Sequence, residues 1–434
     1  MPGVVFSAPV NTPARLLAAL ALLSLAPACG GTSSSPDAGS GGGGGTGGGT
    51  GGGAGGGAGN LPGSVDIDVA TTWAATPAPC DVVVTRELYV NAPLTVAPGT
   101  QVCFQPNTGL IVQDYGLVTA VGTAEEPIVF TGTVAAAGSW KGISLVSLSG
   151  TGVNRFAHAT FQHAGNPTSL CCANFIDSED IRGALLVGDK VADTRASVED
   201  CTFKDVGGHG VFVFTAARLT GFARNTFQNV AQAPVAVPLE SAGALDAATV
   251  YSGPVRVLDS GNALEAPLTL KALPVAYGMS TGFAGKTFRV KAKLTVEAGA
   301  RLEFEVGGAL VVEKLGTLEV NGTADKRVTF TGKTQAAGAW KGMALVSTGN
   351  RLTYADITHG GAAEAICCDF YDDTGDARAN LVVGDYADAA SVTLANVRST
   401  QSGGSGVTAL SESTVTQSGT NDLTTGNAAA NTGL

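Results

Sequence analysis

Along the chain the apolar residues come in short runs, and almost nothing carries the three-and-four spacing of an amphipathic helix. "LTVAPGTQVCF" (Leu94 to Phe104), "GLIVQDYGLV" (Gly109 to Val118), "PIVFTGT", "WKGISLVS" and "GVFVFT" read as short, loosely alternating strands. Each run is closed by Gly, Pro, Asn or Asp, the residues of tight turns. One run also returns at a fixed distance. "CTFKDV" (Cys201 to Val206) recurs as "NTFQNV" (Asn225 to Val230), 24 residues on. The pattern predicts an all-β chain whose strands repeat about every two dozen residues.

That period suits a parallel β-helix, a solenoid in which each coil lays its strands on those of the coil below. Backbone hydrogen bonds then close between coils, and an inner file of Val, Ile, Leu and Phe is buried. A longer repeat overlies the short one. "FTGTVAAAGSWKGISLVS" from Phe130 matches "FTGKTQAAGAWKGMALVS" from Phe330, with Trp140 and Trp340 standing 200 residues apart. "LTVAPGTQVCF" matches "LTVEAGARLEF" from Leu294 at the same offset. "RFAHATFQHAG" from Arg155 matches "RLTYADITHGG" from Arg351, "GALLVGD" matches "ANLVVGD", and "GGHGV" matches "GGSGV", all now offset by 196. Two tandem copies of one long module are expected, 61–260 and 261–434, the second ending in a polar C-terminal cap, "TGNAAANTGL".

The succession "LTVxxGxxxxF", "GTAEEPIVFTG", "GSWKGISL" and "RFAHATFQHAG" resembles the right-handed parallel β-helix proteins of bacterial surfaces, in the pectin-lyase-like fold group. The resemblance covers nearly everything after residue 61. It implies handedness and architecture more than activity, since the group mixes polysaccharide lyases, glycosidases, adhesins and others. At two dozen residues per coil the body would have roughly 15 coils and a length of about 70 Å.

The N-terminus adds an address. Arg15 precedes the apolar run Leu16 to Ala26, too short for a mature transmembrane helix and suited to a signal-peptide core. "PACG" then places Ala28 before Cys29, which resembles a bacterial lipobox and implies acylation of Cys29; leucine stands one residue further back than usual, at Leu25. Residues 1–29 are therefore expected to be a lipoprotein signal with its cysteine. Residues 30–60, almost wholly Gly, Ser, Thr and Ala, have nothing to bury and form a disordered tether with a reach of about 30 Å. The expected location is the outer membrane or cell surface of a Gram-negative bacterium, with membrane contact through the lipid alone.

Of the 434 residues only 14% are charged and 6% aromatic, and the net charge is −11. No basic stripe is present to neutralise phosphates, which argues against a nucleic-acid partner.

Export puts the cysteines in an oxidising compartment. Cys80 and Cys103 are both missing from the second copy, as expected of a bonded pair, so a Cys80–Cys103 disulfide is predicted. The adjacent pairs Cys171–Cys172 and Cys367–Cys368 recur in both copies, about eight coils or roughly 40 Å apart, too far to bond to each other. A vicinal disulfide in each is the leading reading. Free buried thiols and a metal site with His163 and His359, each eight residues before its pair, are the alternatives. Cys201, with Ala395 in the second copy, is left unpaired or shared with the first pair.

Carboxylates follow each pair at matching places: Asp177 with Asp373, Asp180 with Asp376, and Asp189 with Asp385. Such a loop is a candidate Ca²⁺ or ligand site, set against a plain solvated acidic loop with Arg182 and Arg378 as internal partners. No cofactor is required. Trp140 and Trp340 are candidates for stacking on sugar rings or for anchoring a coil. His209, in "GHG", is expected at a turn.

No nucleophile triad, nucleotide loop or haem motif stands out, and catalytic residues cannot be assigned. The function expected is a non-catalytic surface scaffold or polysaccharide-recognition protein, with polysaccharide or another surface protein as partner. The alternatives are a polysaccharide lyase or glycoside hydrolase of the same fold group, and a purely structural envelope protein.

Overall fold

A computed structural model describes residues 63–147, 152–168, 181–189, 193–282, 286–364, 366, 377–385 and 388–434. The described chain is all-β, with a single helical turn at Leu239–Ala242. Its strands form five sheets, one of twelve strands, three of six and one of five, and pairing is parallel throughout. Leu94–Val96, for example, pairs with Val118–Val121, which pairs with Val153–Ala157 and then Arg195–Glu199. Two strands, each in a different sheet, intervene between successive partners. A chain that revisits three faces in turn is compatible with a parallel β-helix.

The rungs explain the short runs in the sequence. In Ala159–Gln162, Thr202–Val206 and Thr226–Val230 the inward residue is phenylalanine, and the registers Phe130↔Phe161↔Phe203↔Phe227 stack the rings. Ring centroids are 5.1, 4.9 and 4.8 Å apart, and Tyr251 continues the file at 6.1 Å. Each such pair adds about 0.5–1.5 kcal/mol to the burial of the rings themselves.

Corners are made by single residues with left-handed backbone. His158, Asp200 and Arg224 in the first stretch, and Tyr354 and Asn396 in the second, have φ between 45 and 56° and turn the chain directly from one strand to the next. Buried asparagines close neighbouring corners: the amides of Val118 and Leu318 donate to Asn154 Oδ1 and Asn350 Oδ1, each at 2.9 Å. The shared "WKG" has a steric reason. Gly142 and Gly342 have φ of 117 and 107°, and a Cβ there would lie 2.2 Å from Gly183 O and 2.3 Å from Ala379 O.

One set of strands is buried on both sides. Gly109–Val112, Gly142–Leu145, Gly183–Val187 and His209–Val213 are buried at every position, as are Ala309–Val312, Gly342–Leu345 and Ala379–Val383. Their outward residues form small satellite cores, Leu186, Phe212, Phe214, Ala236 and Leu258 in one place and Val311, Ala344, Ile366 and Val382 in the other. Ile366 stands immediately before Cys367.

The sequence counterparts do not occupy the same face. Gly109–Val112 belongs to the twelve-stranded sheet, whereas Ala309–Val312 lies in the five-stranded one. From the second stretch the twelve-stranded sheet takes Arg301–Phe304 instead, the counterpart of Gln101–Phe104. The repeat has moved round by one face. The change happens across residues 239–263, after which the repeat resumes: Leu264 bridges Val290 as Ile67 bridges Val90, and Leu268–Leu270 pairs with Lys293–Glu297 as Thr71–Trp73 pairs with Leu94–Val96. There one six-stranded sheet ends at Arg218–Ala223 and the five-stranded sheet begins at Thr287–Val290. Between them come the Leu239–Ala242 turn and a loop in which only Leu264 bridges to Val290.

Candidate functional site

The predicted cysteine bond is present: Cys80 and Cys103 are joined, with Cα atoms 5.7 Å apart. Cys103 sits on Gln101–Phe104, so the link ties residues before the first full rungs to the sheet. Cys29, the pairs Cys171–Cys172 and Cys367–Cys368, and Asp177, Asp180, Asp373 and Asp376 lie outside the described residues. Among those described, no three of His, Cys, Asp and Glu gather as a metal site would require.

Asp385 is buried, and its Oδ1 accepts a hydrogen bond from the amide of Asp388 at 2.5 Å, which closes its own loop. Asp189 follows the strand Gly183–Val187 at the equivalent place. The histidines considered for metal are corner residues: His163 and His359 have φ of 67 and 63°, and each Nδ1 lies 3.1 or 2.9 Å from a threonine hydroxyl, Thr131 or Thr331. Burial holds both below the usual histidine pKa.

One of the two readings of the tryptophans falls away, and the placing of His209 needs correction. Trp140 and Trp340 cannot stack on sugar, because both are 0% exposed. Each indole lies flat on a core ring, Phe104 at 3.9 Å and Phe304 at 4.2 Å, and donates its N–H to a backbone carbonyl, of Gln162 or Thr358. They anchor coils. His209 is not at a turn but opens the strand His209–Val213, where burial lowers its pKa to about 4. Cys201 is a free, buried thiol, its pKa pushed up to about 12 by loss of solvent, and so inert.

The feature with the geometry of a site lies elsewhere. A cleft of about 470 Å³ opens where the two sheets are broken, within the range of small-molecule sites. Arg218 at the end of the first sheet forms one wall, and Arg289 with Lys291 at the start of the next forms another. Glu240 of the helical turn and the loop from Gly261 to Leu268 complete it.

The polar groups are unevenly satisfied. Arg289 Nε donates to Glu313 Oε1 at 2.6 Å, and Lys291 Nζ lies 3.8 Å from the same carboxylate. Arg218 lies 3.5 Å from Asp193, which Arg195 also holds at 2.9 Å. Glu240 Oε1 accepts from Ser260 Oγ at 2.7 Å, while its Oε2 is buried with no hydrogen-bond partner. Burial, reinforced by nearby Asp259, raises the Glu240 pKa and favours the neutral acid. Asp259 is also raised by burial, but both its oxygens are spent on backbone amides, of Gly261 and Thr287, so it holds the loop.

None of these residues belongs to the duplicated motifs. The available signal was the gap itself: residues 239–263 break the repeat, and one acid, Glu240, stands in the apolar run "VAVPLESAGAL". Comparison of the chain with family models, curated proteins and solved structures gives no match.

Proposed function

We propose that the protein is an exported, lipid-anchored right-handed parallel β-helix, built from two copies of one module, that recognises polysaccharide without cleaving it. The observation that carries the reading is the polar, charged cleft at the break between the sheets. It combines cationic donors, an acid and exposed loop backbone in a concave site on an otherwise ladder-like body. The all-parallel ladder and the matching corners, glycines and indoles of the two stretches support the architectural part. The lipobox-like "PACG" and the Gly-rich segment support the anchored, surface-facing part.

The test is capture of the full-length protein, in detergent, by a panel of insoluble and immobilised polysaccharides, with and without Ca²⁺. Released sugars are assayed in the supernatant. Binding without release is expected. Unsaturated or reducing ends in the supernatant would instead identify a lyase or hydrolase, and no capture on any matrix would leave a structural envelope role.

A further inference from the structure

The loop from Asp259 to Leu264 crosses the break between the sheets and is fastened at both ends. At one end Asp259 Oδ2 accepts from the amide of Thr287 at 3.2 Å, and Oδ1 from that of Gly261 at 2.9 Å. At the other end Leu264 is buried in the core. Its amide donates to Arg289 O at 2.8 Å, and its carbonyl accepts from the amide of Lys291 at 2.9 Å. Both fastenings to other elements are therefore made at the start of the five-stranded sheet. Between them, Ser260–Ala263 is tied to the helical turn on the opposite side, among the described residues, by one hydrogen bond, from Ser260 Oγ to Glu240 Oε1 at 2.7 Å. Gly261, exposed and with φ of 78°, gives this short segment a pivot.

The carboxyl at the far side of that bond is buried, and its Oε2 has no partner, so the anion is stable only if water reaches it. Burial is the largest influence on its ionisation. Of the charges that face it, Asp259 on the loop also opposes ionisation, and Arg218 at the end of the first sheet, 3.5 Å from Asp193, favours it. Asp259 in turn faces Arg289, which Glu313 holds at 2.6 Å, with Lys291 3.8 Å from the same carboxylate. Glu265 stands exposed further along the loop.

We propose that Ser260–Ala263 is a proton-controlled flap, closed while Glu240 is a neutral acid and lifted to admit water once Glu240 is ionised. The neutral acid keeps its bond to Ser260 without burying a charge, whereas the anion gains more from hydration than from one hydroxyl. The flap is thus closed at low pH and opens as pH rises through the folded pKa of Glu240, which burial sets above the ordinary carboxylate value. Glu240, Gly261, Asn262 and Ala263 all line the cleft, so the flap sets its size whatever it holds.

The experiment is hydrogen exchange on the full-length protein at pH 5 and pH 8.5, resolved to single amides and corrected for the intrinsic pH dependence of exchange. The reporters are the amide of Asn262, which donates to Ser260 Oγ at 3.2 Å, and that of the buried Ala263. Their protection is expected to fall about tenfold or more from the lower pH to the higher, while Leu264 and Lys291, on the fastened side, keep theirs. Glu240→Gln retains an acceptor for Ser260 and cannot ionise, so it should hold the flap closed at both pH values. Glu240→Ala removes the acceptor and the charge together and should leave the flap open at both. Protection that does not change with pH in the unaltered protein, or a fall that survives in Glu240→Gln, overturns the inference. So does a Glu240→Ala flap as protected as that of Glu240→Gln. If Glu240→Ala fails to fold, the Glu240→Gln comparison decides alone.

Discussion

The two repeat-bearing stretches share a plan and differ in what fills it. In the first, the file Phe130, Phe161, Phe203, Phe227 runs unbroken, and a disulfide ties its opening rungs. In the second, Phe330 pairs with Leu302 on one side and Ile357 on the other, and no cysteine stands opposite Cys80 or Cys103. Ion pairs stud the outer surface of both, such as Arg224 with Asp200 at 2.7 Å in the first and Arg301 with Glu303 at 2.6 Å in the second. Asparagine corners, glycine crossings and buried indoles are kept in both. What is held constant is whatever bends the chain or lets strands approach closely; what varies is the filling between.

The comparison can be broken most forcefully in the core. Phe203→Ala, between two stacked neighbours, is expected to cost about 3–5 kcal/mol, whereas Ile357→Val in the aliphatic file should cost about 0.5–1.5 kcal/mol. Urea unfolding followed by hydrogen exchange, which reads each stretch separately, checks both values. A loss after Phe203→Ala no larger than that after Ile357→Val would show that the ring file collapses to fill the space. Next, removing the bond with Cys80→Ser and Cys103→Ser should cost about 2–4 kcal/mol and raise amide exchange chiefly in residues 63–104. The second stretch, with no such link, should be unmoved.

A smaller effect sharpens the likeness. Asn154→Ala and Asn350→Ala each strand a buried amide, of Val118 or Leu318, and should each cost about 1–3 kcal/mol, equal within error. A clear inequality would mean that the two corners are not equivalent.

The smallest concerns the junction. The pKa of Glu240 is raised in the folded protein, so the folded state holds its proton more tightly than the unfolded one. The contribution is fully present below the unfolded carboxylate pKa and is lost as pH rises through the folded value. Glu240→Gln should therefore raise the thermal midpoint more at pH 8 than at pH 4. No pH dependence in that difference would mean that Glu240 is well solvated.

Strand runs, their winding period and the Cys80–Cys103 bond were legible because each leaves a local or a paired mark in the sequence. A buried rung needs Val, Ile, Leu or Phe at alternate places, and a lost disulfide removes two cysteines at once. The corners were harder to read. Asp200 and Asn396 are usual left-handed residues, but His158, Arg224 and Tyr354 are held in that conformation by the rungs above and below, not by their own preference. Trp140 is ambiguous for a different reason: a repeated indole looks the same whether it faces a ligand or Phe104. The one-face displacement was illegible. It depends on how many strand positions the unmatched residues 239–263 occupy, and there the strand Val255–Leu258 is flanked by a helical turn and a loop. The cleft follows from that displacement, so Arg218, Glu240 and Lys291 carried no mark of their own.

The displacement is also the claim most open to direct test. In the twelve-stranded sheet Arg256 is the register partner of Gly278. Arg256→Cys with Gly278→Cys should form a disulfide on mild oxidation, detected by mass mapping, while Arg256→Cys with Arg289→Cys should not, because Arg289 belongs to the five-stranded sheet. If the repeat instead continued on the same face, the strand Thr287–Val290, which pairs with Ala309–Val312 as Glu87–Val90 pairs with Gly109–Val112, would follow Val255–Leu258 in that sheet. The Arg256–Arg289 pair would then cross-link in preference, and the break between the sheets, with the cleft it creates, would not exist.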